Sequence, residues 1–448
     1  MERVIGATFL KERRFVKDWE ERSDARHRTC CRREGMETYL NPKTKTCLNP
    51  PPPHKISPNI FSTTAITHPH LLPTPASTNP NPPTAPLLHL STKDPYHPSP
   101  LSTHLSHTHA SIPSTPLPPT TDPLNLDTLA QLNDLGTKAG KDVYLTSNDD
   151  VNTKPAWLEG KEGEGGGESG VIVVVDKGVV GGGEKSGKER GGGSGVVDVF
   201  YFTFFSFNYG GVVLEREVGD HVGDWEHTMI RFENEIPKAV WLSQHGNGEA
   251  YTFSCLEKDA SGKRPILYIA NGSHAIYPTP GTHDHTIPNF NLPTPLLLVD
   301  TCDAGPLYDP VPSSYIYSYT PLAPSPATTS TVGSFTPLTP NAPTSFLLFA
   351  GLWGDAEYPE DDPRQKGKGL LGFKKYVGGP TGPAFKQLER KEVWPENEWS
   401  KGQRVRDRLP VKGWWTKTVG KVKGGCFGGK GGKGKGVKRI NVSGEVVA

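Results

Sequence analysis

Residues 196–209 read VVDVFYFTFFSFNY, and residues 224–232 read DWEHTMIRF. The first stretch is rich in β-branched and aromatic residues, which is typical of a buried strand. The second stretch alternates, because its even-numbered residues, Asp224 and Glu226 among them, share one face of an extended chain, and its odd-numbered residues share the other. These two stretches predict two long strands, and they decide the fold class.

Shorter stretches of the same kind lie on both sides. Val171–Asp176 (VIVVVD) is predicted to be the strand beside 196–207, joined to it by Gly-rich sequence. The HGNG sequence at 245–248 predicts a hairpin turn. No alternation of strands with helices indicates a parallel sheet, so we predict an all-β fold, an antiparallel β-sandwich with long loops. Further strands are predicted at Lys141–Thr146, Ala239–Gln244, Glu249–Cys255 and Arg264–Ala270.

Other segments are predicted to surround the sheets. Residues 124–135 carry Leu at helical spacing and predict a short amphipathic helix that ends at Gly136. Residues 345–349 are predicted to form a strand. Residues 376–388 are predicted to be an ordered C-terminal segment that wraps the domain.

Composition predicts one folded domain with additions, because the chain has 448 residues with 50 Gly and 44 Pro. We expect a disordered, charged and Pro-rich arm at 1–86, a β domain at 87–400 with a Gly-rich insertion at 177–195, and a basic Gly/Lys-rich tail at 401–448. The high proline density from Pro50 to Pro123 predicts chain that is mostly extended and disordered.

Several classes of protein are disfavoured by the sequence. The formal net charge is +1, so no global field draws the chain to nucleic acid, and the basic tail is interpreted as solvated. We therefore expect no specific nucleic-acid binding. No apolar run approaches the ~20 residues of a transmembrane helix. The N-terminus lacks a signal peptide pattern and the cysteines form no CxxC pair, so we expect a cytoplasmic protein in a reducing compartment.

Imidazole and carboxylate groups cluster between residues 220 and 285. Because the period of a strand is two, the side chains of Asp224 and Glu226 share a face, and histidines arrive there from loops that follow a neighbouring strand. This is the ligand set of a divalent cation such as Mg, Mn, Ca or Zn. The candidate ligands are Asp224, Glu226, His274, His283, His221 and His285.

Other readings of this cluster stay open. Asp224 and Glu226 could instead be buried carboxylates in a purely structural polar network. The side chains could also fail to converge. Glu226 with a histidine would form a general acid/base pair, whereas Trp225 and Tyr277 are interpreted as packing residues.

Long motifs in this chain resemble the vacuolar protein sorting-associated protein 62 family. They include HVGDWEHTMIRF (221–232), GKRPILYIANGSHAIYPTPGTHDH (262–285), LWGDAEYPEDDPRQ (352–365) and YVGGPTGPAFKQLERKEV (376–393). The resemblance covers about residues 87–395. It implies a role in vacuolar protein sorting, association with the vacuole, and trafficking proteins or membrane-associated cargo as partners. The resemblance does not indicate a particular biochemical activity.

A shorter resemblance links Asp224-Trp225-Glu226 to the His-Asp-Trp-Glu motif of necrosis-inducing NLP proteins. Those proteins are β-sandwiches that hold a divalent cation with carboxylates and histidine, which supports a cation at Asp224 and Glu226. Gly223 stands where that motif has its second histidine.

Two functions follow as hypotheses. We favour a trafficking-associated binding protein with a divalent-cation or ligand site. The alternative is a metal-dependent hydrolase in the same Asp/Glu/His pocket, with Glu226 as the general base that activates metal-bound water.

Overall fold

A computed structural model gives the fold of the central part of the chain. The chain divides into two units, Met1–Thr67 and His68–Ala448. In the first unit, Tyr39–Leu40 (β1) pairs antiparallel with Cys47–Leu48 (β2). Most of the predicted arm, residues 181–193 of the predicted insertion and residues 411–448 of the predicted tail lie outside the described residues. The described residues are 39–40, 47–48, 84–117, 123–160, 168–180, 194–213, 215–284, 299–322, 332–365 and 373–410.

A seven-stranded sheet is the centre of the second unit. Its strands lie in the order β12-β11-β10-β7-β6-β18-β19. Their bounds are Gly170–Val180 (β6), Ser194–Asn208 (β7), His221–Glu233 (β10), Ile236–Gln244 (β11), Asn247–Thr252 (β12), Ser314–Thr320 (β18) and Ser334–Pro337 (β19).

The two stretches that decide the fold pair with each other. β7 and β10 are antiparallel, with Phe205 opposite Asp224 and Phe204 opposite Trp225. β6 and β7 are antiparallel neighbours, as predicted. The hairpin of β11 and β12 turns at the HGNG sequence, with Gln244 opposite Asn247. β18 runs parallel to β6, so a sheet that is otherwise antiparallel contains one parallel pair.

A second sheet covers one face of the first. It has the order β14-β13-β3-β17. Leu88 and Leu267 from this sheet share a buried core with Ile230 and Val240 of the large sheet. The predicted β-sandwich is therefore confirmed. The bounds are Leu87–His89 (β3), Ile266–Ile269 (β13), Ile276–Tyr277 (β14) and Leu307–Tyr308 (β17).

Short helices and irregular chain cover the other face of the large sheet. A helix, Leu101–Ser106 (α1), buries Leu101 and Leu105 in a core that also contains Trp225 and Trp353. The alternation predicted for β10 is thus confirmed, since Trp225 joins this core and Ile230 joins the other. The remaining strands form separate pairs: Thr108–Ser111 (β4) with Tyr144–Ser147 (β5), Val212–Val213 (β8) with Arg216–Glu217 (β9), and Gly281–Asp284 (β15) with Val299–Cys302 (β16).

Two predicted elements differ in the structure. Residues 345–349 are not a strand, because Ser345–Leu348 is a 3-10 helix in which the adjacent Phe346 and Leu347 are both buried. A strand would send adjacent side chains to opposite faces. The helix predicted over 124–135 is a shorter 3-10 helix, Leu129–Asp134. Other 3-10 helices are Val151–Thr153, Ala156–Glu159, Phe253–Cys255, Pro363–Gln365, Pro383–Phe385 and Glu398–Ser400.

The prediction of disordered chain from Pro50 to Pro123 is wrong for residues 84–117. This segment forms β3, α1 and β4. Leu88 is buried, and β3 pairs in parallel with β13. Proline density disfavours long regular elements, but short elements between the prolines are stabilised here by burial against the rest of the domain.

Candidate functional site

A cleft of about 620 Å³ lies between the large sheet and residues 373–397 of the C-terminal segment. Its walls come from β10, from β11, from the turn at 245–247 and from that segment. Three of the sequence-predicted residues, His221, Asp224 and Glu226, line it. Three of the candidate ligands therefore lie at a cleft that is open to solvent.

Asp224 contacts His274, another of the candidate residues. Nδ1 of His274 lies 3.0 Å from Oδ2 of Asp224, and its Nε2 lies 3.6 Å from Oδ2 of Asp94. The imidazole is fully buried and stacks on Phe205 with ring centroids 3.7 Å apart. Asp94 also accepts a hydrogen bond from the backbone N–H of Gly272 at 2.6 Å. This arrangement joins three distant segments of the chain through one buried histidine.

Glu226 is buried beside Asp224 and is held by Ser243. The Ser243 hydroxyl donates to Glu226 and accepts the backbone N–H of His227. Burial and the neighbouring Asp224 carboxylate raise the pKa of Glu226 well above its usual range. Lys386 lines the same cleft, and burial lowers its pKa against the opposing effect of Glu226. A carboxyl pair and an amine thus share one confined space.

The other predicted ligands have separate positions. Nδ1 of His221 lies 2.7 Å from the Gly223 carbonyl oxygen, so the ring donates to that oxygen. His283 stacks on Tyr277 with ring centroids 4.0 Å apart, and its Nε2 lies 2.8 Å from the Thr279 carbonyl oxygen. His285 lies outside the described residues.

Within the described parts of the chain, no group of three or more His, Cys, Asp or Glu side chains is arranged to hold a metal ion. Asp224 contacts His274, and Glu226 contacts Ser243. The divalent cation stays a prediction.

Gly223 has a positive φ of 69°, and it packs directly on Trp353. A Cβ atom added at this position would lie 1.6 Å from the Trp353 carbonyl oxygen. No side chain fits there without a backbone shift, so a histidine cannot occupy this position as it does in the NLP motif.

Sequence reasoning missed four further residues that line the cleft. The cleft is lined by four residues that each have a buried nitrogen with no hydrogen-bond partner among the described residues: His227, Trp241, Asn247 and Arg390. We call these four residues the donor wall. The odd-numbered face of β10 was predicted to be packing surface, and nothing in the local sequence marks Arg390 as a neighbour of that strand.

Asp300 is a second residue whose role only the structure shows. Its carboxylate accepts hydrogen bonds from the hydroxyls of Ser273 and Tyr277, both at 2.6 Å. The Nε2 of His245 lies 2.7 Å from the same carboxylate. Because Ser273 and His245 line the cleft, Asp300 fixes one end of its rim.

The fold and the cleft define a class, a β-sandwich protein with a polar cleft at one end of its large sheet. Residues 193–286 match the family described as vacuolar protein sorting-associated protein 62. This match includes β7, β10 and His274, and it confirms the resemblance found in the sequence.

Two yeast proteins, both from Saccharomyces cerevisiae, are similar over a longer range. The chain is 35% identical over 271 residues to "Putative vacuolar protein sorting-associated protein TDA6", covering 56% of this chain and 52% of the relative. It is 34% identical over 286 residues to "Vacuolar protein sorting-associated protein 62", covering 59% of this chain and 54% of the relative. The chain therefore spans about half the length of the curated relatives it matches.

No solved structure matches the chain significantly. Of the helices in the described segments, none is long and apolar enough to cross a membrane.

Proposed function

We propose that this protein is a binding protein of vacuolar protein sorting, and that it takes a polar ligand in the cleft between β10 and residues 373–397. Trafficking proteins or membrane-associated cargo are the partners that this role implies, and the vacuole is the membrane system where it acts. The sorting role rests on the family match and on the names of the two yeast relatives.

One observation carries the binding function. Asp224, Glu226 and Lys386 lie together in a cleft open to solvent, and burial disfavours the charged forms of Glu226 and Lys386. Burying ionisable groups costs free energy unless they gain partners. A polar ligand would supply those partners, which is the arrangement expected of a recognition site.

The test is to fill the cleft without disturbing the fold. Gly246 lines the cleft, and a Cβ there would meet no heavy atom within 4 Å. The matched control is Gly195, at the start of β7, where the nearest atom to an added Cβ is Asn234 Oδ1 at 3.9 Å. Each is replaced by Trp in the full chain.

The variants are expressed in yeast that lacks both relatives, and secretion of a soluble vacuolar hydrolase is measured. We expect the wild type and Gly195→Trp to reduce missorting and Gly246→Trp to fail at equal protein level. Equal rescue by both variants would show that the cleft is not needed, and no rescue by the wild type would remove the sorting role.

The rival function is a metal-dependent hydrolase with Glu226 as its base. One observation favours it, because a carboxyl with a raised pKa beside a second carboxylate is common in acid/base catalysis. Elemental analysis of the purified full chain tests it, with Asp224→Asn as the comparison. Stoichiometric Mg, Mn, Ca or Zn in the wild type, reduced in Asp224→Asn, would support it, and protein without metal would remove it.

A further inference from the structure

Arg390 is a buried cation whose contacts leave one nitrogen free. Its side chain is 2% exposed. Nε donates to the Gln387 carbonyl at 3.0 Å, and Nη2 donates to the Lys386 carbonyl at 2.9 Å. Nη1 has no hydrogen-bond partner in the segments that the structure describes. In the described part of the chain no carboxylate forms an ion pair with this guanidinium, which is unusual for a buried charge.

His227 is held as a neutral ring that presents a second donor. Nη2 of Arg390 lies 3.1 Å from its Nε2. Arginine can only donate, so Nε2 accepts and the proton of the neutral ring lies on Nδ1. A protonated imidazole has no lone pair left with which to accept, so this contact requires the neutral ring. Among the described side chains and backbone, the Nδ1–H group has no partner.

Trp241 and Asn247 add donors next to these two. The Trp241 ring lies 4.8 Å from the His227 ring and 4.9 Å from the Arg390 guanidinium carbon. The indole Nε1 and both polar amide atoms of Asn247 are buried, and none of them has a partner within the described part of the chain. Gly248, the residue after Asn247, lies against Trp241, since a Cβ there would be 2.6 Å from the indole ring. Donors from three strands and the C-terminal segment therefore meet at one wall.

We propose that the donor wall binds an anionic oxygen group, a phosphate or a carboxylate, of the ligand that enters the cleft. An oxyanion accepts several hydrogen bonds at once and would neutralise the Arg390 charge. The inference rests on the proposed function, because it names the ligand class of the same cleft.

The acidic pair in the cleft is compatible with this ligand. Ser243 lies between the two regions, with its hydroxyl bonded to Glu226 on one side and to the His227 backbone on the other. Lys386 is adjacent and offsets Asp224. The ligand would present its anionic end to the donor wall and a donor end to the carboxyl groups.

The proposal is tested by titrating the purified full chain with inorganic phosphate and, separately, with citrate, at constant ionic strength in a calorimeter. Asn247→Asp adds a negative charge at the donor wall with little change of shape. Asn125→Asp is the matched control, because its Oδ1 accepts from the Asp127 and Thr128 backbone N–H groups, a role that aspartate retains. The two titrants separate phosphate from carboxylate as the preferred group.

We expect saturable binding of at least one anion, weakened tenfold or more in Asn247→Asp and less than twofold in Asn125→Asp. Trp241→Phe, which keeps an aromatic ring but removes the N–H group, is expected to weaken binding severalfold and serves if Asn247→Asp does not fold. Lack of saturable binding of both anions, or equal binding by all variants, would overturn the proposal. If Gly246→Trp fails to restore sorting and neither anion binds, the proposed function is retained and only the anionic ligand class is rejected.

Discussion

Nδ1 of His274 lies 3.0 Å from Oδ2 of Asp224, and this contact ties the loop after β13 to the central strand β10. Both side chains are buried. The same imidazole faces Asp94 on its other side. Because the three residues come from separate segments, the contact connects the N-terminal part of the domain, the second sheet and the cleft.

Replacing Asp224 is expected to destabilise the fold. Asp224→Ala leaves the His274 N–H buried without its acceptor, which costs about 1–3 kcal/mol of the free energy of unfolding. Asp224→Asn retains an acceptor oxygen and is expected to cost less. Urea unfolding of the full chain measures both values.

The control for this pair is Asp134→Ala at an exposed carboxylate. It is expected to leave the urea midpoint unchanged. A wild-type midpoint in Asp224→Ala would mean that the contact with His274 does not stabilise the fold.

Gly223→Ala is expected to disrupt the packing between β10 and Trp353. The added Cβ would lie 1.6 Å from a carbonyl oxygen, at a φ of 69° that disfavours any side chain. We expect a loss of more than about 2 kcal/mol, measured by thermal and urea unfolding. Gly246→Ala is the matched change, because no heavy atom of the described residues would lie within 4 Å of its Cβ. It should have the same melting temperature as the wild type. Similar melting of the two variants would contradict the close approach.

Arg231→Met removes the partner of a buried carboxylate. Nε and Nη2 of Arg231 each donate to Asp198 at 2.8 Å, and Asp198 is fully buried. Breaking a buried pair costs about 3–5 kcal/mol, and Lys177, 3.4 Å from Asp198, is expected to keep the loss near the lower end.

The comparison for Arg231→Met is Lys401→Met, which removes an exposed ion pair with Glu398. Exposed pairs contribute little, so no measurable change is expected. Equal effects of the two substitutions on chemical unfolding would argue against the buried pair as a stabilising contact.

Asp220 is expected to make stability depend on pH. Burial raises its pKa to about 7, and the Glu217 carboxylate adds to the shift. A raised folded-state pKa means that the folded protein binds more protons than the unfolded chain between about pH 4 and pH 7. The free energy of unfolding therefore falls as pH rises through this range.

Asp220→Asn is expected to reduce this decrease of the free energy of unfolding with rising pH. The amide oxygen can still accept the Gly210 N–H, so the variant should match the wild type near pH 4 and exceed it at pH 8 by on the order of 2 kcal/mol. Urea unfolding at a series of pH values gives both curves. Parallel curves would mean that Asp220 does not titrate as its burial implies.

The predictions from sequence were correct where apolar residues follow one another, or alternate with polar ones, with the regular pattern of a strand. The β-branched and aromatic run of β7 and the alternation of β10 identified strands, their faces and their neighbours. The Asp224–His274 contact was also within reach, since strand period and loop position placed both residues together. Elements whose burial does not repeat with a local period, such as β3 and the 3-10 helix at Ser345–Leu348, were missed or assigned wrongly.

The donor wall was not predictable in the same way. Arg390 is separated from His227 by more than 160 positions, and the path of the C-terminal segment over the sheet decides that they meet. A tryptophan or histidine in a strand pattern indicates burial, but the pattern does not show whether its polar nitrogen has a partner.

By itself, the sequence determined the all-β class, the main strands and the family resemblance, because side-chain periodicity and motif order are local properties of the chain. The tertiary structure alone decided that β3, α1 and β4 form between the prolines of residues 84–117, that Gly223 has no room for a side chain, and that four residues with buried nitrogens lacking a partner among the described residues line one cleft. Those features depend on distances between segments far apart in sequence, which are fixed only when the sheets pack and the C-terminal segment lies across them.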